Sequence, residues 1–379
     1  TLKVSNITGW SEYRDGDDLI IYAANGTNFI KVVGAYSTAN RLENIEYTDS
    51  SVVRLVSVNS LVPSSGIHFF AGTSGDDTIN GGSASSVSAT GYDGNDTLIG
   101  TSGRDFYGGN AGNDIIKTLA GDDVLIGGTG NDTLEGGDGS YIINGGQGND
   151  IIDGGGGNDT INAGDGDDII NFVADGTWGK LHQAWNINAS KKIFSKVSIN
   201  GKNQFTDVID GSSGADTINL TSGNDALFLH DAISGFHSGV SLSKDAFGTQ
   251  NSDRLIAIET INGGSGDDVI DITSPDTQLT YSMALNGEAG DDVIWASSGA
   301  DTLNGGDGND VLFGGKGIDT LTGGNGSDTF EFCNQSGHDI IKDYNKGAGD
   351  KLVFYKQHLS YIKRKILKSF LIKKVLELF

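Results

Sequence analysis

The sequence predicts an all-β chain wound as a parallel β-roll. Three observations predict it: an unbroken nine-residue period, glycine fixed within that period, and an apolar residue at one place in every unit. Among 379 residues there are 59 Gly, and 50 Asp plus Glu stand against 25 Lys plus Arg, for a formal net charge of −25. Glycine at this level without a period would mark a flexible low-complexity chain. Here it is periodic.

Nine consecutive units begin at Gly91, Gly100, Gly109, Thr118, Gly127, Gly136, Gly145, Gly154 and Ala163. Their fourth residue is always glycine: Gly94, Gly103, Gly112, Gly121, Gly130, Gly139, Gly148, Gly157 and Gly166. The sixth is Asp96, Asp105, Asp114, Asp123, Asp132, Asp150, Asp159 or Asp168, with Tyr141 as the exception. The eighth is apolar throughout, from Leu98 to Ile170. A second array starts at Gly287, Ala296, Gly305, Gly314 and Gly323. It supplies Asp292, Asp301, Asp310, Asp319 and Asp328 at the sixth place and Gly290, Gly299, Gly308, Gly317 and Gly326 at the fourth. Isolated units at 72–80, 211–228 and 263–271 add Asp77, Asp216, Asp225 and Asp268.

Each place has a physical task. Glycines at the first, second and fourth places allow positive φ and close backbone approach, so that their carbonyls can converge. Residues seven to nine form a short strand whose middle side chain points inward. Two units then make one coil, and stacked coils bring the sixth-position aspartates of units i and i+2 about 4.8 Å apart. Two carboxylates at roughly 5 Å repel by about 3 kcal/mol at an effective dielectric near 20. One inward side chain per nine residues is a thin core against that repulsion. A hard divalent cation, bound by six to eight carboxylate and carbonyl oxygens, would turn it into coordination, which makes Ca²⁺ the expected cofactor. Pairs of Asp at both i and i+2 number five in the first array and three in the second, so about eight ions are expected.

Blocks such as Gly127-Gly-Thr-Gly-Asn-Asp-Thr-Leu-Glu135 carry the signature G-G-x-G-x-D-x-U-x. They resemble the RTX family of calcium-binding exported proteins, and the resemblance covers most of 72–331. It implies calcium-coupled folding, export by the type I secretion machinery and a secreted or cell-surface location. The sixth-position aspartates and the fourth-position glycine carbonyls would be the ligands. Tyr141 reads as a lost ligand replaced by an aromatic ring, with a recognition role as the alternative.

The flanks divide the chain further. Residues 1–60 lack the repeat; Asp18-Leu-Ile-Ile-Tyr22, Asn25-Gly26 and Phe29-Ile-Lys-Val-Val33 predict a β-hairpin. With Arg41 to Asp49 this stretch resembles a small haemolysin-related β module. Trp10 and Tyr36 there read as core. The first roll is placed at 61–171 and an insertion with Trp178, Trp185 and five lysines at 172–206. The insertion reads as a linker between rolls or as a ligand-contacting excursion. A second roll at 207–331 has insertions at 229–258 and 272–286, the former carrying His230 and His237, which read as surface or packing residues. The run 207–332 resembles the region before the carboxyl terminus of large RTX adhesins. Residues 332–355 resemble the closing strands of type I secretion targets and would cover the last open edge. The basic tail 356–379 fits an amphipathic helix. A secretion signal, a membrane-surface helix and a frameshifted gene end are all open for it.

Composition narrows the function. Negative charge on this scale repels nucleic acid and anionic lipid while concentrating cations. A single cysteine, Cys333, excludes a disulfide framework. No apolar run reaches the roughly 18–20 residues of a membrane span. Opening on Thr1 without a signal peptide, the sequence reads as part of a longer or processed protein. None of the six histidines precedes a glutamate, so there is no H-E-x-x-H zinc site, and no G-x-S-x-G elbow occurs. The leading reading is a non-catalytic calcium-dependent folding and presentation module of an exported adhesin- or toxin-like protein, its extracellular ligand unknown. The rival is the non-catalytic carboxyl-terminal part of a secreted protease, lipase or polysaccharide epimerase. A carbohydrate-contacting roll is a third reading, resting only on exposed polar strand positions.

Overall fold

Glycine at the fourth place of each unit turns the chain, and the strand follows at once. Gly112 and Gly130 have φ of 125° and 123°, and a Cβ on Gly130 would overlap the Gly112 carbonyl oxygen one coil away. Only glycine fits both demands. The second place keeps its left-handed angle even where it is not glycine, as at Tyr92, Asn110, Leu119, Ser212 and Glu288. Such residues store roughly 1–2 kcal/mol each, so the stacked neighbours impose the turn against local preference.

The structure, a computed structural model, describes residues 67–355 apart from 180, 187–188, 230–253, 274–278 and 334–335, together with strand segments within 1–53. Among the described residues there are strands and no helix, hence none long and apolar enough to cross a membrane. The repeats form a parallel β-solenoid. Its long sheet has 12 strands running from Thr78–Asn80 to Ile340–Ile341, and both arrays contribute to it. The eighth residues stack in register inside, Leu98 between Ile79 and Ile116, and Ile218 between Ile170 and Ile261. The residues on either side of each face outward, as the period of two requires.

Two 8-stranded sheets cover the long one in succession. The first short sheet runs from Ile67–Ala71 to Leu255–Ile256, and the second from Gly176–Thr177 to Lys351–Phe354. At the hand-over one coil carries strands of all three: Val208–Ser213, Thr217–Asn219 and Asp225–Phe228. The chain departs from the nonapeptide period after Phe172 and rejoins it at Phe205, whose rings stack at 5.0 Å inside the core, while Gly176–Thr177 and Asn203–Gln204 begin the second short sheet. Between them lies the antiparallel pair Leu181–Asn186 and Ala189–Ser198. Trp178 and Ile199, at the two ends of this excursion, pack on Ala226, Phe228 and Val269 of the second short sheet. Its strands Asp225–Phe228 and Val269–Asp271 are buried on both faces.

Strands Asp18–Ala23 and Phe29–Val32 pair antiparallel with Tyr22 opposite Phe29, and Trp10–Asp15 lies along the other side of the first. The Asn25-Gly26 turn, Tyr36, His230, His237 and the basic tail 356–379 lie outside the described residues. Ile340–Ile341 and Lys351–Phe354 form the final coil, one strand on the long sheet and one on the second short sheet.

Candidate metal centres

The carboxylates stand in three columns, one along the entry to each sheet. The strand residue that follows the sixth place pairs with its counterpart one coil on, so the sixth residues must stack as well. All seventeen aspartates singled out from the repeats are buried. Their oxygens divide the work. The backbone N–H of Asp96 donates to Asp114 Oδ1, that of Asp114 to Asp132, of Asp132 to Asp150 and of Asp150 to Asp168, each at 2.7 Å. The same bond links Asp105 to Asp123 in the first short-sheet column, and Asp225, Asp268, Asp292, Asp310 and Asp328 in the second.

The second oxygen is left over. Oδ2 of Asp96, Asp114, Asp123, Asp132, Asp150, Asp159, Asp168, Asp216, Asp268, Asp292, Asp301, Asp310 and Asp319 is buried without a hydrogen-bond partner. The first-position glycine makes room for it: a Cβ on Gly91 would overlap Asp96 Oδ2, and one on Gly127 would overlap Asp132 Oδ2. Three turns are furnished differently. A second-position threonine, Thr73, Thr101 or Thr221, donates its N–H to Oδ2 of Asp77, Asp105 or Asp225.

Burying an unpaired ionised oxygen is costly, and the acidities reflect it. Burial, reinforced by neighbouring carboxylates and only partly offset by the backbone N–H on Oδ1, pushes Asp114 and Asp150 up to about 7 and Asp268 up to about 8. Asp159, buried beside Asp207 and Asp175, is pushed up to about 9. Among the described residues no three His, Cys, Asp or Glu side chains converge. A cation in these turns would therefore draw on the stacked carboxylates and complete its shell with backbone carbonyls and water, a donor set of hard oxygens suited to Ca²⁺. The orphaned Oδ2 atoms and the glycine cradles fit that ion.

The fourth-position glycines line the same turns. Gly94, Gly112, Gly121, Gly130, Gly148, Gly157, Gly166, Gly290, Gly308, Gly317 and Gly326 have positive φ, whereas Gly103 and Gly299 do not. Four acids that the nonapeptide search passed over join the columns. Asp159 N–H donates to Asp207, Asp216 N–H to Glu259, Asp319 N–H to Asp339 and Asp328 N–H to Asp350. Their signal is the second half of the unit, an acid two residues before an aliphatic; at the fourth place ahead of it stand Phe205, Ala257 and Ala348 for Asp207, Glu259 and Asp350, and only Asp339 keeps a glycine, Gly337. The columns are interrupted by Tyr141, whose hydroxyl is buried without a partner, and by Met283, whose N–H donates to Asp301 Oδ1. With insertions looped out, fifteen pairs of aspartates are joined coil to coil, including the eight expected from spacing alone.

No curated protein matches the chain. Among solved structures it is similar to a hyperactive, Ca²⁺-dependent, β-helical antifreeze protein from an Antarctic bacterium, at 17% identity over 81% of this chain and 89% of that one, with a TM-score of 0.29. The model of the RTX calcium-binding nonapeptide repeat matches residues 69–85, 88–107, 108–143, 142–170, 203–230, 248–271, 284–312 and 304–332. These segments make up just over half of the sequence and include every column. With its turns built around buried aspartates and its period matched through both arrays, the chain belongs to the RTX family of calcium-binding nonapeptide-repeat proteins.

Proposed function

We propose that this chain is the calcium-dependent folding and presentation module of an exported adhesin- or toxin-like protein, ordered outside the cell and unfolded within it. The observation that carries the reading is the row of thirteen buried, partnerless Oδ2 atoms. A stack of such oxygens opposes its own formation until a cation shares them. Asp96, Asp114, Asp132, Asp150 and Asp168 and their counterparts in the other columns would supply the carboxylates, and the fourth-position glycines from Gly94 to Gly326 the carbonyls. Bound Ca²⁺ would contribute charge neutralisation and a shared coordination shell. The fifteen linked pairs raise the number of candidate positions above the eight expected from spacing.

The compartment follows from affinity. Extracellular calcium modules bind at roughly 10⁻⁴–10⁻³ M, far above the free calcium of a cytosol. At ten times the dissociation constant each site adds about 1.4 kcal/mol by mass action, and eight or more coupled sites make a steep switch. Export through the type I secretion machinery in the unfolded state would then be followed by folding on release. Circular dichroism of the chain in chelator and in millimolar Ca²⁺ tests the reading. A cooperative gain of β structure with a midpoint between about 0.1 and a few millimolar is expected. Identical spectra, or a transition centred below micromolar calcium, would overturn it. Repeated β-sandwich domains encoded upstream would support the adhesin; a catalytic domain there would replace it with the secreted enzyme.

A further inference from the structure

Three turns repeat one short sequence: Thr73-Ser-Gly-Asp-Asp77, Thr101-Ser-Gly-Arg-Asp105 and Thr221-Ser-Gly-Asn-Asp225. Each holds the first acid of its column. No strand precedes Thr78–Asn80 in the long sheet. One coil before Asp105 stands Val87, whose N–H donates to Oδ1 at 2.6 Å, and one coil before Asp225 stands Asn203, whose Nδ2 donates to Oδ1 at 2.6 Å. The threonine takes the other oxygen. Thr101 donates its N–H and its hydroxyl to Asp105 Oδ2 at 2.7 and 3.0 Å, and Thr221 does the same to Asp225 Oδ2 at 2.7 and 2.9 Å. Both hydroxyls also accept the N–H of the following glycine, Gly103 or Gly223, at 3.0 Å. Thr73 donates its N–H to Asp77 Oδ2, and its hydroxyl accepts the N–H of Gly75 at 3.3 Å. The backbone differs as well. None of Thr73, Thr101 and Thr221, nor Gly75, Gly103 or Gly223 two places on, has a positive φ, whereas Gly128 and Gly130 at the same two places have φ of 128° and 123°.

We infer that these three threonines cap the columns, closing the first acid-bearing turn of each by hydrogen bonds where the other turns take Ca²⁺. The inference rests on the calcium reading of the columns. A threonine hydroxyl and its N–H bond readily to nearby polar groups of the same turn, and a β-branched residue resists the left-handed region. The second and fourth carbonyls are therefore not turned as they are in the glycine turns, and the oxygen that would face the ion is already bonded. A missing acid in the preceding coil is not the cause. Asp159 and Asp301 also follow places without one, Tyr141 and Met283, yet with Gly155 and Ser297 at the second place their Oδ2 atoms are buried without a partner. The second residue decides. Calcium then loads each column from its second acid onward, Asp96, Asp123 and Asp268, and each of these has an unpartnered Oδ2.

The test uses the full chain as wild type, Thr101→Gly, Thr221→Gly, the double variant and Leu119→Gly. Bound calcium is measured by equilibrium dialysis and folding by circular dichroism across a calcium titration. Glycine removes the hydroxyl, permits the left-handed angle and restores the residue usual at the second place. Each threonine variant is expected to bind one more Ca²⁺ per chain at saturation, and the double variant two more. Leu119→Gly is the control: Leu119 already has a positive φ and precedes the unpartnered Asp123 Oδ2, so its replacement is expected to keep the wild-type number. Folded threonine variants with unchanged or reduced stoichiometry would overturn the inference and leave the threonines as turn formers only. An equal gain in Leu119→Gly would overturn it too, by making glycine itself the cause. So would failure of the double variant to fold at any calcium concentration, because an ion able to enter the opened turns must hold them. If the wild type itself binds no calcium, the reading of the columns fails first and the inference with it.

Discussion

The two short sheets are built from the same nonapeptide, yet their outer faces differ. On the first, Phe106 and Ile142 are 46% and 54% exposed. On the second, Trp295 and Phe313 are 0% and 1% exposed and pack together, with Val197 from the 172–206 excursion against them. The first sheet therefore leaves these outward side chains bare, and the inner strands of the second bury residues on both faces, as parallel sheets under a covering layer do. Each fully buried large apolar side chain is worth roughly 1.5–3 kcal/mol. The difference teaches that one repeat can be stabilised in two ways. Where the outside is bare, the turns must hold the coil together, and where it is covered, ordinary packing shares the task.

Limiting calcium should separate the two sheets most strongly. Hydrogen exchange during a calcium titration is expected to show amides of Val124–Thr129 and Ile142–Gln147 losing protection at higher calcium than those of Val293–Trp295 and Val311–Phe313. Simultaneous loss across both would break the comparison.

Acidity gives the next effect, and its sign depends on calcium. Without metal, Asp159 at about 9 and Asp268 at about 8 lie above the ordinary value of 3.8, so the folded state holds protons that the unfolded chain releases. Their contribution is fully present below about 4 and is lost as pH rises from there through the folded values of about 8 and 9. In chelator, acidification from pH 8 to 4 should therefore raise the β signal, whereas in millimolar calcium the same acidification should lower the apparent calcium affinity by protonating the ligands. Circular dichroism along both pH series checks the reversal.

Smaller effects sharpen the contrast at single residues. Trp295→Ala should cost about 3–5 kcal/mol in calcium-saturated denaturant unfolding, and Phe106→Ala no more than about 0.5 kcal/mol. Comparable losses would mean that the covering layer adds nothing. Tyr141→Phe removes a buried hydroxyl that has no partner, and a gain of about 1 kcal/mol in the same assay is expected.

The repeat made the site unusually legible. Asp114, Asp132 and Asp150 fall eighteen apart, and a chain of period nine with two units per coil has no other way to stack them. Their neighbours in space across an insertion were not legible. Asp168 meets Asp216 and Asp225 meets Asp268 only because the chain is back in register at Val208 and again at Leu255, which spacing does not show. Spacing also suggested two carboxylates facing each other, whereas the structure gives Oδ1 to a backbone N–H and leaves Oδ2 for a cation. Asp207, Glu259, Asp339 and Asp350 escaped notice because none of their turns keeps the full glycine set: Phe205, Ala257 and Ala348 stand at the fourth place, and only Gly337 remains there.

Sequence alone determined the solenoid, its inward ladder and the chemistry of its turns, because a strict period converts one local preference into every coil. Tertiary structure alone decided which outer faces are covered and where the wall passes from one short sheet to the other. Those outcomes depend on segments that leave the period, and where such a segment lands is set by the surface it finds to bury, here Phe228 and Val269 beneath Trp178 and Ile199.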